Sequence, residues 1–367
     1  MERLLDVEDL VASAVGARSA CIYIADYAQQ LLSPVRGIGN ADAVEVDATV
    51  HGRVFQTGQA HLGDGHVIAA LVEGRDRVGV VECTFHRGVG GSVDLVDAIC
   101  AALLLVLVSK RRYTDLVVRA RRVRPLSTAA EMQWDLLPPL SGQASGASIA
   151  GMVEPAYSTG GDSFDYAVNG DLLEFIVIDA VGHGMPAVLK SMAAITTYRN
   201  VRRERGTLEN IYAEIGRVMV EQFSHSYYVT GVIASLRTST GELTWINAGH
   251  PEPMMVRDGS VISSLHCAPS RPMGLGGTVR QRQTITLQPA DRVLVFTDGV
   301  VERRHAAAAS PHLAPLTDLL LRATLDELAG PETVRRLARS VLDSCDGELA
   351  DDATLILIDY HGRRTSG

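Results

Sequence analysis

Asp162, Asp179, Asp298 and the pair Asp351-Asp352 each stand where an apolar run meets a tight loop. Asp162 follows Gly160-Gly161, and Asp179 closes the run Leu172-Leu173-Glu174-Phe175-Ile176-Val177-Ile178. Asp298 follows Val293-Leu294-Val295-Phe296-Thr297, and Asp351-Asp352 come just before Leu355-Ile356-Leu357-Ile358. A carboxylate at the end of a buried strand loses solvation, which is costly unless a cation or hydrogen-bond donors offset it. Several such ends meeting at one place would form an oxygen-rich site suited to Mg²⁺ or Mn²⁺ rather than to soft metals. Any one of these aspartates alone reads equally as a turn residue or helix cap. Their repetition at the ends of strongly apolar strands makes them a set.

The chain also supplies a local reason for two of them to meet. Asn169-Gly170, between Asp165–Val168 and Leu172–Asp179, is a strong short-hairpin signal. Counting back from that turn brings position 162 opposite 177 or 178, so Asp162 and Asp179 are expected within a residue or two across the ladder. Carboxylates that close repel each other unless a cation lies between them.

The elements that must position them follow from periodicity. Ser148–Pro155, Tyr228–Arg237, Glu242–Ala248, Met254–Arg257, Arg292–Thr297 and Ala353–Tyr360 read as further strands. Met185–Arg205, Leu208–Phe223, Pro315–Ala329 and Glu332–Cys345 read as helices. This order predicts a layered α+β domain with sheets inside and helices outside. Upstream, Leu95–Arg124 reads as a long helix stopped or kinked at Pro125. A second helix, Ser127–Leu137, carries Thr128 and Glu131 at capping-box spacing and ends at Pro138-Pro139. Such a connector suits either transmission of a movement or a passive spacer or dimer coil. The first 110 or so residues read as a small α/β domain: helix Leu4–Val15, then strands Ala20–Ile24, Val67–Val72 and Val78–Phe85 around a loop-rich middle.

Composition narrows the class. The chain has 367 residues, 46% hydrophobic and 21% charged, with net charge −9, so no basic surface points to nucleic acid. Lys110-Arg111-Arg112 and Arg119–Arg124 read as solvated helix faces. Its five cysteines include no C-x-x-C pair, which argues against a disulfide framework or thiolate zinc site and suits a reducing cytosol. The start of the chain lacks a signal-peptide pattern, and the longest apolar run, Ala98–Val108, is too short for a bilayer span. The expectation is a cytoplasmic protein with neither membrane nor nucleic-acid partner. His51, His61, His66 and His86 read as solvated loop histidines.

Two resemblances follow. His51-Gly52-Arg53-Val54-Phe55-Gln56-Thr57-Gly58-Gln59 and Val78-Gly79-Val80-Val81-Glu82, in their element order, resemble a GAF-type sensory domain. That implies an unknown small ligand or partner there, and a homodimer. The second set runs Gln133-Trp134-Asp135-Leu136-Leu137-Pro138, Gly160-Gly161-Asp162-Ser163-Phe164-Asp165, Asp179-Ala180-Val181-Gly182-His183-Gly184, Asn247-Ala248-Gly249-His250-Pro251-Glu252-Pro253, Thr297-Asp298-Gly299-Val300-Val301-Glu302 and Asp351-Asp352-Ala353-Thr354. In order and spacing it resembles the PPM (protein phosphatase 2C-like) family, in its bacterial SpoIIE/RsbU type.

The implied architecture is a GAF-like domain over 1–110, a helical connector over 111–140 and an αββα sandwich over 141–362. The implied activity is metal-dependent hydrolysis of phosphoserine or phosphothreonine, without a covalent intermediate, using two Mn²⁺ or Mg²⁺ ions. Asp179 would bridge both ions, Asp298 and Asp351 would complete the first, and Asp162 with the Ala180 backbone carbonyl would serve the second. Asp179 and Asp162 thereby hold the attacking water. Asp352, Gly161 and His183 would support these ligands, and His183 and His250 read as shaping Gly-rich turns rather than as acids. The implied substrate is a phosphorylated STAS-type anti-sigma-factor antagonist, with activity gated by the sensor and by the helices over 127–137 and 185–205. Two departures stand out: Ser163 replaces a bulky aromatic, and no arginine is placed to clamp a phosphate. A catalytically inactive scaffold that binds a phosphoprotein, and a small-molecule phosphoesterase, are the competing readings.

Overall fold

The computed structural model describes residues 2–36, 42–86, 91–110, 113–158, 160–223, 227–262, 265–301, 314–345, 349 and 351–362. Glu302 and Arg111-Arg112, named above, lie outside them. The chain divides into two compact units, Met1–Pro125 and Leu126–Gly367.

The first unit runs α1 (Glu2–Val15), β1 (Ser19–Ala25), β2 (Leu31–Pro34), β3 (Val44–Glu45), α2 (Val50–Thr57), β4 (His61–Gly63), β5 (His66–Glu73), β6 (Asp76–Thr84), α3 (Val93–Lys110) and α4 (Leu116–Arg121). Its six strands form one antiparallel sheet ordered β3-β2-β1-β6-β5-β4. Ile22, Ile24, Val67, Ala69, Leu71 and Val81 pack one sheet face against α1 and α3, while Ile68 and Val80 meet Val54 and Phe55 of α2 on the other. The segment expected to be loop-rich is thus partly helical, because Thr49 caps α2 through a bond from the Gly52 N–H and Gly58 ends it at φ +69°. His51, His61 and His66 accordingly sit on α2, β4 and β5 instead of on loops. The expected long helix over 95–124 is α3 and a separate α4.

The second unit runs α5 (Thr128–Leu136), β7 (Ser141–Ala144), β8 (Ala147–Glu154), β9 (Ser163–Asn169), β10 (Leu172–Ala180), α6 (Met185–Arg203), α7 (Leu208–Phe223), β11 (Val229–Arg237), β12 (Glu242–Ala248), β13 (Met254–Arg257), β14 (Ser260–Ile262), β15 (Gln283–Thr286), β16 (Arg292–Phe296), α8 (Ala314–Leu325), α9 (Gly330–Asp343) and β17 (Ala353–Tyr360). The cap of α5 is Ser127, whose hydroxyl accepts from the Ala130 N–H, one residue before the expected Thr128.

Two antiparallel sheets, β15-β12-β11-β10-β9 and β14-β13-β16-β17-β8-β7, face each other. Alternation explains the layers. Ile356 and Ile358 of β17 point into the inter-sheet core with Phe164, Phe175, Val177 and Trp245, whereas Leu355 and Leu357 meet α8 and α9 on the outside. Because β17 is covered on both faces, its sequence is a continuous apolar run rather than an alternating one. On the far side, Ile176, Ile178 and Ile233 pack against Ile195, Tyr198, Ile211 and Ile215 of α6 and α7. The result is a helix, sheet, sheet, helix stack.

Candidate metal centre

The β9–β10 hairpin sets the first two carboxylates. Asn169 pairs with Leu172 and Ser163 with Ile178, so the turn residues are Gly170 and Asp171. Gly170 takes φ +66°, which glycine adopts without steric cost. The turn lies one residue later than Asn169-Gly170, and continuing this register sets Asp162 opposite Asp179 instead of opposite 177 or 178.

Asp162 is 2% exposed. Its Oδ2 accepts from the Thr297 hydroxyl at 2.6 Å, and its backbone carbonyl accepts from the Gln133 amide of α5. Thr297, at the end of β16, is fully buried and bonded twice to Thr354 of β17: its N–H donates to the Thr354 carbonyl at 3.1 Å, and its Oγ1 accepts from the Thr354 N–H at 2.8 Å. Asp298, the next residue, opens a 3₁₀ turn over Asp298–Val300 and is half-buried. A Cβ on Gly299 would overlap the Asp352 carbonyl. Asp351 is exposed, and its Oδ1 accepts from the Asp352 N–H at 2.9 Å. The Asp352 carboxylate turns inward and accepts from the backbone N–H groups of Gly161, Asp162 and Gly160. The ends of β9, β10, β16 and β17 therefore meet at one edge of the sandwich.

The glycines before Asp162 are dictated by crowding. A Cβ on Gly160 would overlap the Asp352 carboxylate, and one on Gly161 would overlap the Ala180 carbonyl oxygen. The Ala180 N–H donates to the Gly161 carbonyl at 3.3 Å, and the Ser191 hydroxyl of α6 donates to the same carbonyl. Ser163 is fully buried beside Asp162.

Negative charge accumulates here. Burial first, then the charges of Asp179 and Asp352, raise the Asp162 carboxyl well above the usual carboxylate range, against the bond from Thr297. Burial and then Asp351 push Asp352 up to about 6, opposed by its three backbone donors. Lys190 of α6 lies within electrostatic reach of Asp179. It is buried, donates to the Val181 carbonyl and lies 4.5 Å from the Tyr227 ring centroid. Burial lowers its pKa while Asp179 holds it up. His183 is exposed on the loop into α6. His250 is buried: its N–H donates to Asn247 Oδ1 at 2.8 Å, and its Nδ1 lies 3.0 Å from the Thr230 hydroxyl. Thr230 faces Asp179 across β10–β11.

Hard oxygen donors and desolvated, mutually repelling carboxylates fit a divalent cation of the Mg²⁺ or Mn²⁺ class. Among the described residues no three His, Cys, Asp or Glu side chains already form an ion-holding group. Thr297, Gln133, Ser191 and Lys190 were absent from the sequence-derived site. Thr297 had a signal, as a polar residue ending an otherwise apolar strand. Gln133 had one in the segment Gln133–Pro138 that opens the resemblance, while Ser191 lies on a helix remote in sequence and had none.

A family model, stage II sporulation protein E (SpoIIE), matches residues 169–361, more than half of the chain. The chain belongs to the SpoIIE family. Its second unit accordingly carries a phosphatase domain of that family. The phosphoserine phosphatase RsbU of Bacillus subtilis is 24% identical over 238 residues, covering 64% of this chain and 69% of RsbU. The phosphoserine phosphatase RsbP of the same organism is 24% identical over 142 residues, covering 37% of this chain and 35% of RsbP. Among solved structures, the RsbU and RsbW domains of Rv1364c from Mycobacterium tuberculosis superpose with TM-score 0.53 at 26% identity, over 60% of this chain and 63% of that one. The SiaA-PP2C domain of Pseudomonas aeruginosa superposes with TM-score 0.52 at 20% identity, over 63% of this chain and 94% of that one, and shows the shared fold. The chain thus spans less than two thirds of RsbP and of the Rv1364c structure. No described helix is long and apolar enough to cross a membrane.

Proposed function

We propose that the protein is a metal-dependent phosphoprotein phosphatase that removes phosphate from serine or threonine of a regulatory partner. The observation that carries this reading is the burial of Asp162 against the charges of Asp179 and Asp352, where four strand ends meet. Asp162, Asp179, the Ala180 carbonyl, Asp298 and Asp351 would hold two Mn²⁺ or Mg²⁺ ions, with Asp352 fixing the Gly160–Asp162 loop from behind. Bound divalent ions supply charge neutralisation at a phosphoryl oxygen and a lowered pKa for coordinated water. The residues around them bury Asp162 and orient the carboxylates, and burial keeps His250 neutral. The names of the phosphoserine phosphatases RsbU and RsbP support phosphoserine as the target, and the resemblance described above supports a phosphorylated STAS-type protein as its carrier. The first unit is read as a GAF-like sensor for an unidentified ligand, acting within a cytoplasmic homodimer.

Phosphate release from p-nitrophenyl phosphate and from a phosphorylated STAS-type protein, with Mn²⁺ titrated, tests this. Asp179→Asn should lower kcat/KM by about a thousandfold or more, since the several kcal/mol that cations supply would go with their ligand. Hydrolysis of the small ester alone would favour a small-molecule phosphoesterase. Equal inactivity of wild type and variant with every divalent metal would leave a phosphoprotein-binding scaffold.

A further inference from the structure

We propose that Thr297 is the positioning residue of the centre: its side chain aims Asp162 while its backbone carries Asp298, so that one residue ties together the two cation subsites. This rests on the reading of both aspartates as ligands.

Asp162 comes from a loop whose two preceding residues have no side chains, so little in its own segment fixes its rotamer. The hydroxyls of Thr297 and Thr354, from the other sheet, face its carboxyl, and Thr297 makes the close bond. Thr297 Oγ1 donates to Asp162 Oδ2 at 2.6 Å, a distance proper to a strong hydroxyl–carboxylate bond. The direction of that bond is set from behind. The same Oγ1 accepts the Thr354 N–H at 2.8 Å, and of the two oxygens its single proton can reach, Asp162 Oδ2 at 2.6 Å is far nearer than the Asp352 carbonyl at 3.5 Å. Thr297 itself is held by the bond from its own N–H to the Thr354 carbonyl and by full burial of its side chain. The bond therefore holds one Asp162 oxygen in place.

One peptide bond further on, the chain reaches Asp298, which opens the 3₁₀ turn. A displacement of Thr297 would move both carboxylates together. Hydrogen-bonded partners that orient metal ligands typically change affinity by 10–100-fold when removed. Valine is nearly isosteric with threonine and deletes the donor. Serine keeps it and deletes only a methyl group.

Calorimetric titration of the full chain with Mn²⁺, without substrate, reads the effect directly. Wild type should take up two ions, and Thr297→Val should bind one of them at least tenfold more weakly, with Thr297→Ser close to wild type. Circular dichroism of the metal-free proteins checks that both variants fold. Should the valine variant not fold, Thr297→Cys, a weaker donor of similar size, takes its place, with the same direction of loss expected. Wild-type affinity in the valine or cysteine variant overturns the proposal. So does a serine variant as impaired as valine, since packing rather than the hydroxyl would then be responsible. Absence of Mn²⁺ uptake by wild type instead overturns the metal-centre reading beneath it.

Discussion

His250 shows how a single side chain ties the site to pH. Burial pushes its imidazole down to about 3, far below the 6.5 of an exposed ring. The unfolded chain therefore takes up a proton near pH 6.5 that the folded chain refuses until about pH 3. Stability is complete above that window and falls as pH drops through it. Urea denaturation at pH 7 and pH 5 should differ by about 2 kcal/mol on account of this residue. His250→Gln should flatten that slope. A pH dependence unchanged by the substitution would mean that the ring titrates normally in the fold. The sequence already made His250 a residue that shapes a turn, since it sits in Asn247-Ala248-Gly249-His250. Its bond with Thr230, beneath Asp179, could not be read there, because it joins strand ends 20 residues apart through a sheet register that only folding sets. The same limit applied to Ser191, whereas the aspartates were legible because their own strands are.

At the scale of elements, Asp165 of β9 holds α6 in place. Arg199 binds it through Nε at 3.0 Å and Nη2 at 3.1 Å, Arg202 adds a contact at 3.2 Å, and Arg199 also donates to the Leu136 carbonyl at the end of α5 at 2.6 Å. Asp165→Asn would leave two guanidinium groups short of a countercharge in a largely buried place. The cost should be about 3 kcal/mol, read as a lower urea midpoint at unchanged m-value. A shift below about 0.5 kcal/mol would show the pair to be solvent-compensated. Helices α7 and α9 were readable from period, since long amphipathic segments repeat their signal, and α6 was readable by its length. Elements α2, β2, β3 and β4 were not, because two to eight residues offer too few repeats. The hairpin turn was misplaced by one residue because Asn169-Gly170 and Gly170-Asp171 are both good turn pairs, and strand register chose between them.

For the molecule as a whole, the division at Pro125 separates a one-sheet unit from the sandwich that bears all the candidate ligands. Each unit has its own apolar cores. A fragment spanning residues 126–367 is therefore expected to unfold cooperatively and to bind Mn²⁺ as the full chain does, measured by thermal melting and calorimetry. Failure of the fragment to fold would show that the first unit is needed for the stability of the second. The paired-sheet class was legible because continuous apolar runs such as 355–358 imply strands covered on both faces. No ligand chemistry was legible in the first unit, whose residues define a core and a sheet.

Gly160 and Gly161 carry a historical consequence. One is wedged beneath a carboxylate and the other against a peptide oxygen, and neither position has room for a single methyl group. Drift is forbidden on this floor, so a lineage that acquires new targets has to rewrite its recognition elsewhere. The turn bearing His183 offers little more freedom, because Gly182 and Gly184 on either side of it take φ +96° and +67°.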